Sequence, residues 1–137
     1  MARDHGGHNK QVCDILHLQD ELECNDWVIT TAFYSSIHYF DHLLFPFIHT
    51  TGVKFENISE AHNVIREKNK HETRGILVQR KIPAFGKDYN FLKNECYNAR
   101  YYNYRIDENF AKKAVRALES VIKESDKKEE ADKKAKK

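Results

Sequence analysis

The stretch Asp26–Phe45, DWVITTAFYSSIHYFDHLLF, runs to Pro46 without a turn signal. Its β-branched and aromatic residues would suit a strand, but strands rarely exceed about 10 residues. Ile29, Phe33, Ser36, Ile37, Phe40 and Leu44 recur every three or four positions, the spacing of one helix face. Trp27, Tyr34 and Tyr39 widen that face, and Asn25 or Asp26 offers an N-cap oxygen. The stretch therefore reads as a helix.

On its N-terminal side, His8 to Glu23 reads as a first helix, with Val12, Ile15, Leu16 and Leu22 as its apolar stripe. On its C-terminal side, residues 46–58 form an irregular connection. Ser59 then caps a third helix, Glu60–Lys81, broken or re-aimed near Asn69 or Gly75. Pro83 and Gly86 punctuate. A fourth helix from Lys87 to Tyr104 carries Tyr89, Leu92, Cys96, Ala99 and Tyr102 or Asn103 at helical spacing. Asp107 caps a fifth, with Ile106 placed to staple onto Ala111 and Phe110, Ala114, Leu118, Val121 and Ile122 as its stripe. Beyond Lys123 the apolar period stops. The chain reads as all-α, an up-and-down bundle of four to five helices over residues 1–122, followed by a charged tail, 123–137, that frays or stays disordered.

Composition agrees. At 137 residues the chain has the size of one domain, and its five glycines and two prolines are too few for a turn-rich sandwich or barrel. No apolar run approaches the ~20 residues of a membrane helix, and MARDHGGHNK lacks the apolar run of a secretory signal. Three cysteines, Cys13, Cys24 and Cys96, at unrelated spacings read as reduced thiols of a cytoplasmic protein.

The formal charge of +2 comes from the tail, whose seven lysines outnumber its five acids, while residues 1–122 balance. Within that body the signs are segregated. Gln11–Val53 contains six acids and no Lys or Arg, whereas Arg66–Lys81 holds six basic residues against two acids. Such segregation suits packing between helical hairpins, self-association, or a place for a phosphate.

That basic segment contains the candidate site. Arg66 and His71 are separated by four residues, REKNKH. His exchanges protons near neutral pH, and Arg holds a phosphate in two hydrogen bonds. Together they meet the needs of metal-independent RNA cleavage, in which a 2′-hydroxyl is deprotonated, a 5′-oxygen protonated and the phosphorane charge neutralised. On one straight helix the two would point about 140° apart. They meet only if the helix bends or starts between them, or if two chains contribute one residue each. Asn69, Lys70 and Arg74 stand beside the pair as substrate-binding candidates, with Glu67 one turn before His71.

Other groupings carry less. His38 and His42 lie four apart, a spacing compatible with zinc, but no further ligand completes a site and no metal or other cofactor is expected. Tyr89, Tyr97, Tyr101, Tyr102 and Tyr104 flank Arg100 and Arg105; they suit a packing face better than base stacking. No glycine-rich phosphate loop or Gly-x-Ser-x-Gly elbow occurs.

Three stretches in order, DWVITTAFYSSIHYFDHLL (Asp26–Leu44), KHETRGILV (Lys70–Val78) and YNFLKNECYNARYYNY (Tyr89–Tyr104), resemble one branch of the HEPN superfamily of small helical domains. The resemblance spans about residues 8–122. It implies a four- to five-helix bundle, commonly a homodimer, and in many members a ribonuclease of toxin–antitoxin, phage-defence or RNA-processing systems. Arg66 would hold the phosphate and His71 would act as general acid and base, with sites from two chains meeting at the interface. An antitoxin or a nucleotidyltransferase is the implied partner, and RNA or nucleotide the implied ligand. The chain departs from the motif in Glu67, where Asn, Asp or His is usual, and in Thr73, where some members carry Tyr. In the branch it resembles most, the matched polar pair is His71 and Arg74. Many HEPN domains are non-catalytic modules that dimerise and bind nucleotide, nucleic acid or a protein.

Overall fold

The computed structural model describes residues 2–19 and 24–136. Among these the chain is mostly helical: α1 (Ala2–His17), α2 (Asn25–Leu44), α3 (Ile58–Ile65), α4 (Lys70–Lys81), α5 (Gly86–Tyr101) and α6 (Glu108–Ala135). The connection after α2 is more regular than expected. It folds into a two-residue antiparallel ribbon, β1 (Phe47–Ile48) and β2 (Lys54–Phe55), with Phe47 beside Phe55 and the two rings stacked. A short 3₁₀ turn, Pro83–Phe85, leads into α5. No helix among the described residues is long and apolar enough to cross a membrane.

The second helix sits at the centre and packs against α1, α4, α5 and α6. Its buried positions cover more than one face because they include small residues, Ala32, Ser35 and Ser36, that let neighbours approach closely. Phe40, Ile29 and Leu44 meet Leu77 of α4, Leu92 and Tyr89 of α5, and Leu118 and Val121 of α6 in one fully buried core. Trp27, expected on this face, is instead 56% exposed.

The first helix starts six residues earlier than its sequence suggests. Gly6 is where α1 touches α2. A Cβ there would come within 2.8 Å of the Tyr39 ring, and the Gly6 carbonyl accepts a 2.8 Å hydrogen bond from Ser35 Oγ. The inward face of α1 is marked by Gly6 and Cys13, while Val12 and Ile15 of the expected stripe are exposed. Leu22 and the expected helix end at Glu23 lie outside the described residues.

The third expected helix is two. Asn57, not Ser59, caps α3, its Oδ1 accepting from Glu60 N at 2.9 Å. The helix stops at Arg66, whose φ of 54° is left-handed, and Asn69 caps α4 in the same way, Oδ1 accepting from Glu72 N. Each start is an Asn followed three residues later by Glu, a cap that reaches the orphan N–H groups of the first turn.

The tail requires a correction. Helix α6 continues 28 residues to Ala135, past the end of its apolar period. Polar contacts replace the apolar stripe. Ser125 is fully buried, and Lys128 Nζ donates to the carbonyls of His42 and Phe45 at the end of α2.

Candidate functional site

A cleft of about 640 Å³ opens where α2, the α3–α4 connection and α5 meet. His71 lines it from the first turn of α4, placed there by the Asn69 cap. Its ring packs edge-on against Phe33, 5.0 Å between centroids, and near Tyr34 at 6.4 Å. Its backbone carbonyl accepts a 2.8 Å hydrogen bond from the buried Tyr89 hydroxyl, whose pKa burial pushes up to about 12.

Behind His71 stands Arg74, one turn further along α4 and only 4% exposed. Its Nε and Nη2 donate to the two carboxylate oxygens of Asp41 on α2, at 2.7 and 3.2 Å. Its Nη1 lies 3.4 Å from His71 Nδ1. A guanidinium can only donate, so Nδ1 is held as an acceptor and the neutral ring carries its proton on Nε2. Burial, then the charges of Arg74 and Lys93, lower the His71 pKa, so the ring is neutral at pH 7. Because Nδ1 is occupied, His71 presents to the cleft an N–H donor rather than a vacant lone pair.

The rest of the lining is cationic and aromatic. Lys68, Lys93 and Arg100 face it against a single carboxylate, Glu72, which Lys93 Nζ approaches at 2.9 Å. Arg100 Nη1 donates to Tyr34 Oη at 2.8 Å, and its guanidinium lies over the rings of Tyr34 and Tyr101, 5.9 and 5.6 Å from their centroids. Tyr97 packs against Tyr101 and Tyr102 at 4.9 and 5.6 Å. The expectation of a tyrosine packing face holds only for Tyr89. Tyr97, Tyr101, Tyr102 and Tyr104 are all more than half exposed: the first two lie on the outward face of α5, and the last two follow its end.

The sequence-derived residues separate. His71 and Arg74 come together, and Asn69 lines the same cleft. Arg66 does not: it is exposed on the α3–α4 connection, with Nε donating back to the Asn63 carbonyl at 3.0 Å. Lys70 turns to α3, its Nζ 3.0 Å from Ser59 Oγ. His38 and His42 take separate partners. His38 packs against His5, 4.2 Å between ring centroids, and His42 reaches Ser125 and Glu129 on α6. Among the described residues no three His, Cys, Asp or Glu side chains gather as metal ligands would. Cys13, Cys24 and Cys96 are buried thiols.

Two parts of the cleft escape sequence reasoning. Nothing in the sequence sets Lys93 apart from the other lysines, and the sequence marks Arg100 only as a neighbour of tyrosines. The signal was present in the i, i+4 spacing of Tyr97 and Tyr101 around Arg100 on α5. Compared with protein-family models, with curated proteins and with solved structures, the chain matches none.

Proposed function

We propose that the chain is a HEPN-like helical module that dimerises and binds a nucleotide unit, free or within single-stranded RNA, in the cleft lined by His71, Lys93 and Arg100. The observation that carries this reading is Arg100 lying over the rings of both Tyr34 and Tyr101 on the cleft that also contains the His71 donor. Stacked aromatic and guanidinium planes accept a base without demanding its identity, and lysines with an imidazole N–H suit phosphate oxygens. The test is equilibrium binding of a fluorescent single-stranded RNA, with ATP as competitor, at two salt concentrations. Affinity should fall with salt and fall again in Arg100→Ala. Binding indifferent to both would sink the assignment.

A second reading is a metal-independent endoribonuclease of a toxin–antitoxin or defence system, with Arg66 and His71 catalytic. One observation favours it: α4 begins at Lys70, between the two residues, so the 140° separation of a straight helix does not apply. Since Arg66 folds back onto Asn63, this reading requires Arg66 of a second copy to reach His71. Cleavage of RNA in the presence of EDTA, lost in His71→Ala, is the result it demands.

A further inference from the structure

A second cleft, of about 610 Å³, lies on another part of the molecule, lined by residues that include Arg3, Asp41, His42, Glu56 and Glu129. At its edge the end of α6 is tied to the rest of the bundle by a chain of polar contacts. Ser125 Oγ lies 2.7 Å from His42 Nδ1 and accepts a 3.0 Å hydrogen bond from Arg3 Nε. Glu129 Oε2 is 3.3 Å from His42 Nε2. Arg3 also pairs with Asp126. The arrangement of Ser, His and Glu is not a nucleophile site, because Ser125 is completely buried.

The proton positions follow from the donors. Arg3 Nε can only donate, so it occupies a lone pair of Ser125 Oγ. The acceptor within reach of the Ser125 proton, among the described residues, is then His42 Nδ1. His42 Nε2 therefore carries the hydrogen and directs it at Glu129. Every group in the chain is satisfied only with a neutral imidazole. A proton added at Nδ1 faces a hydroxyl whose own hydrogen then has no acceptor, in a place water does not reach.

We propose that His42 is an acid-released latch: neutral, it fastens the last third of α6 to the ends of α1 and α2, and its protonation frees that segment. The charges facing it are of both signs, and the balance with burial disfavours its protonation. Lys128 of α6 and Arg3 of α1 oppose a second positive charge, and burial does so most strongly; Glu129 favours it but does not prevail, so its pKa is lowered. Asp4 of α1, Asp41 of α2 and Glu56 after β2 line the same cleft, and Asp126 is occupied by Arg3. With no apolar stripe beyond Lys123, these polar contacts are what holds the segment, and its departure removes Glu129 from the cleft wall.

The experiment is a pH titration of the intact, isotope-labelled chain by NMR from pH 7 to pH 5. It follows the imidazole resonances of each histidine and the heteronuclear NOE of amides 126–135. The NOE values should fall from those of the bundle helices toward those of a mobile end, in step with the His42 titration, and stay high at pH 5 in His42→Asn, which keeps an acceptor and a donor without titrating. Unchanged NOE values while the His42 resonance moves would overturn the proposal. So would a fall that follows His5 or His38 instead, or one that persists in His42→Asn. The comparison within the parent chain decides the matter even if the variant does not fold.

Discussion

Arg74 and Asp41 face each other across α2 and α4 with two hydrogen bonds, one from Nε and one from Nη2, each to its own carboxylate oxygen. Arg74 is buried, while the Asp41 side chain keeps 22% of its surface. The pair therefore sits between the sealed core and the cleft lined by His42, and its third nitrogen orients His71 on the other side. Breaking one partner of such a pair leaves an uncompensated charge in a poor solvent for it. Arg74→Met should lower unfolding free energy by about 3 kcal/mol, the low end for buried pairs because Asp41 retains some water. Urea denaturation of parent and variant measures this. Asp41→Asn should cost at least as much, since it leaves the more deeply buried Arg74 guanidinium without a counter-charge.

The same geometry sets the His71 tautomer. In parent protein at pH 7 the ring should carry its proton on Nε2, visible in the nitrogen shifts of a labelled imidazole. Arg74→Lys keeps the charge but loses the planar fork, so it should blur that tautomer preference while Arg100 and the tyrosines stay in place. A tautomer unchanged in the variant would remove Arg74 from the account of the cleft.

His38, His42 and His71 all have pKa values lowered chiefly by burial. A lowered histidine favours the neutral form in the folded state, so its stabilising contribution is full above the ordinary value of about 6.5 and is lost as pH falls through the folded one. Stability should therefore decline from about pH 6.5 downward, and His71→Asn should flatten part of that slope. Thermal denaturation at a series of pH values tests both statements.

How far the sequence revealed this molecule depended on how each contact is made. Helix α2 was legible because its apolar residues repeat without interruption and Pro46 stops it. The start of helix α1 is not legible because its inward face is made of absence: Gly6 packs where a side chain would not fit, and no hydrophobic period marks it. The break near Asn69 was legible, and α4 does start there; that α3 stops at Arg66 was not, because one left-handed residue leaves no compositional trace. The pairing of His71 with Arg74 was readable from their i, i+3 spacing. The burial of Arg74 was not, because it depends on Asp41, 33 residues away in the chain.

Asn69 offers a small, clean measure of how α4 is aimed. Its side chain satisfies the Glu72 N–H, so Asn69→Ala should cost about 1 kcal/mol. Because the cap also fixes where His71 leaves the first turn, RNA affinity should fall with it, whereas Asn57→Ala, the matching cap of α3, should cost similar stability and leave affinity alone.

The ribonuclease reading makes its own sharp demand. If Arg66 of one copy serves His71 of another, Arg66→Ala and His71→Ala are each inactive alone. Mixed dimers, however, contain one site with both parental residues. Refolding the two variants together should then restore a fraction of parental cleavage. Continued silence of the mixture, with dimers verified by light scattering, would leave binding as the activity to pursue.

Truncation after Glu124 tests how α6 is held. A tail that lacks an apolar stripe would be expected to contribute nothing. Ser125, however, is fully buried between Arg3 and His42, and Lys128 closes two carbonyls at the end of α2. Removing them leaves His42 Nδ1 and those carbonyls to find water, at about 1 kcal/mol for each hydrogen bond lost. Partial hydration of the opened surface reduces the total, so a loss of about 2 kcal/mol is expected, a fall in Tm of several degrees for a chain of this size. Truncation after Glu130 retains all of these contacts and should leave Tm within a degree or so of the parent. If the two truncations melt alike, the contacts of Ser125, Lys128 and Glu129 contribute nothing to stability, and the end of α6 is held by the apolar residues before Lys123 alone.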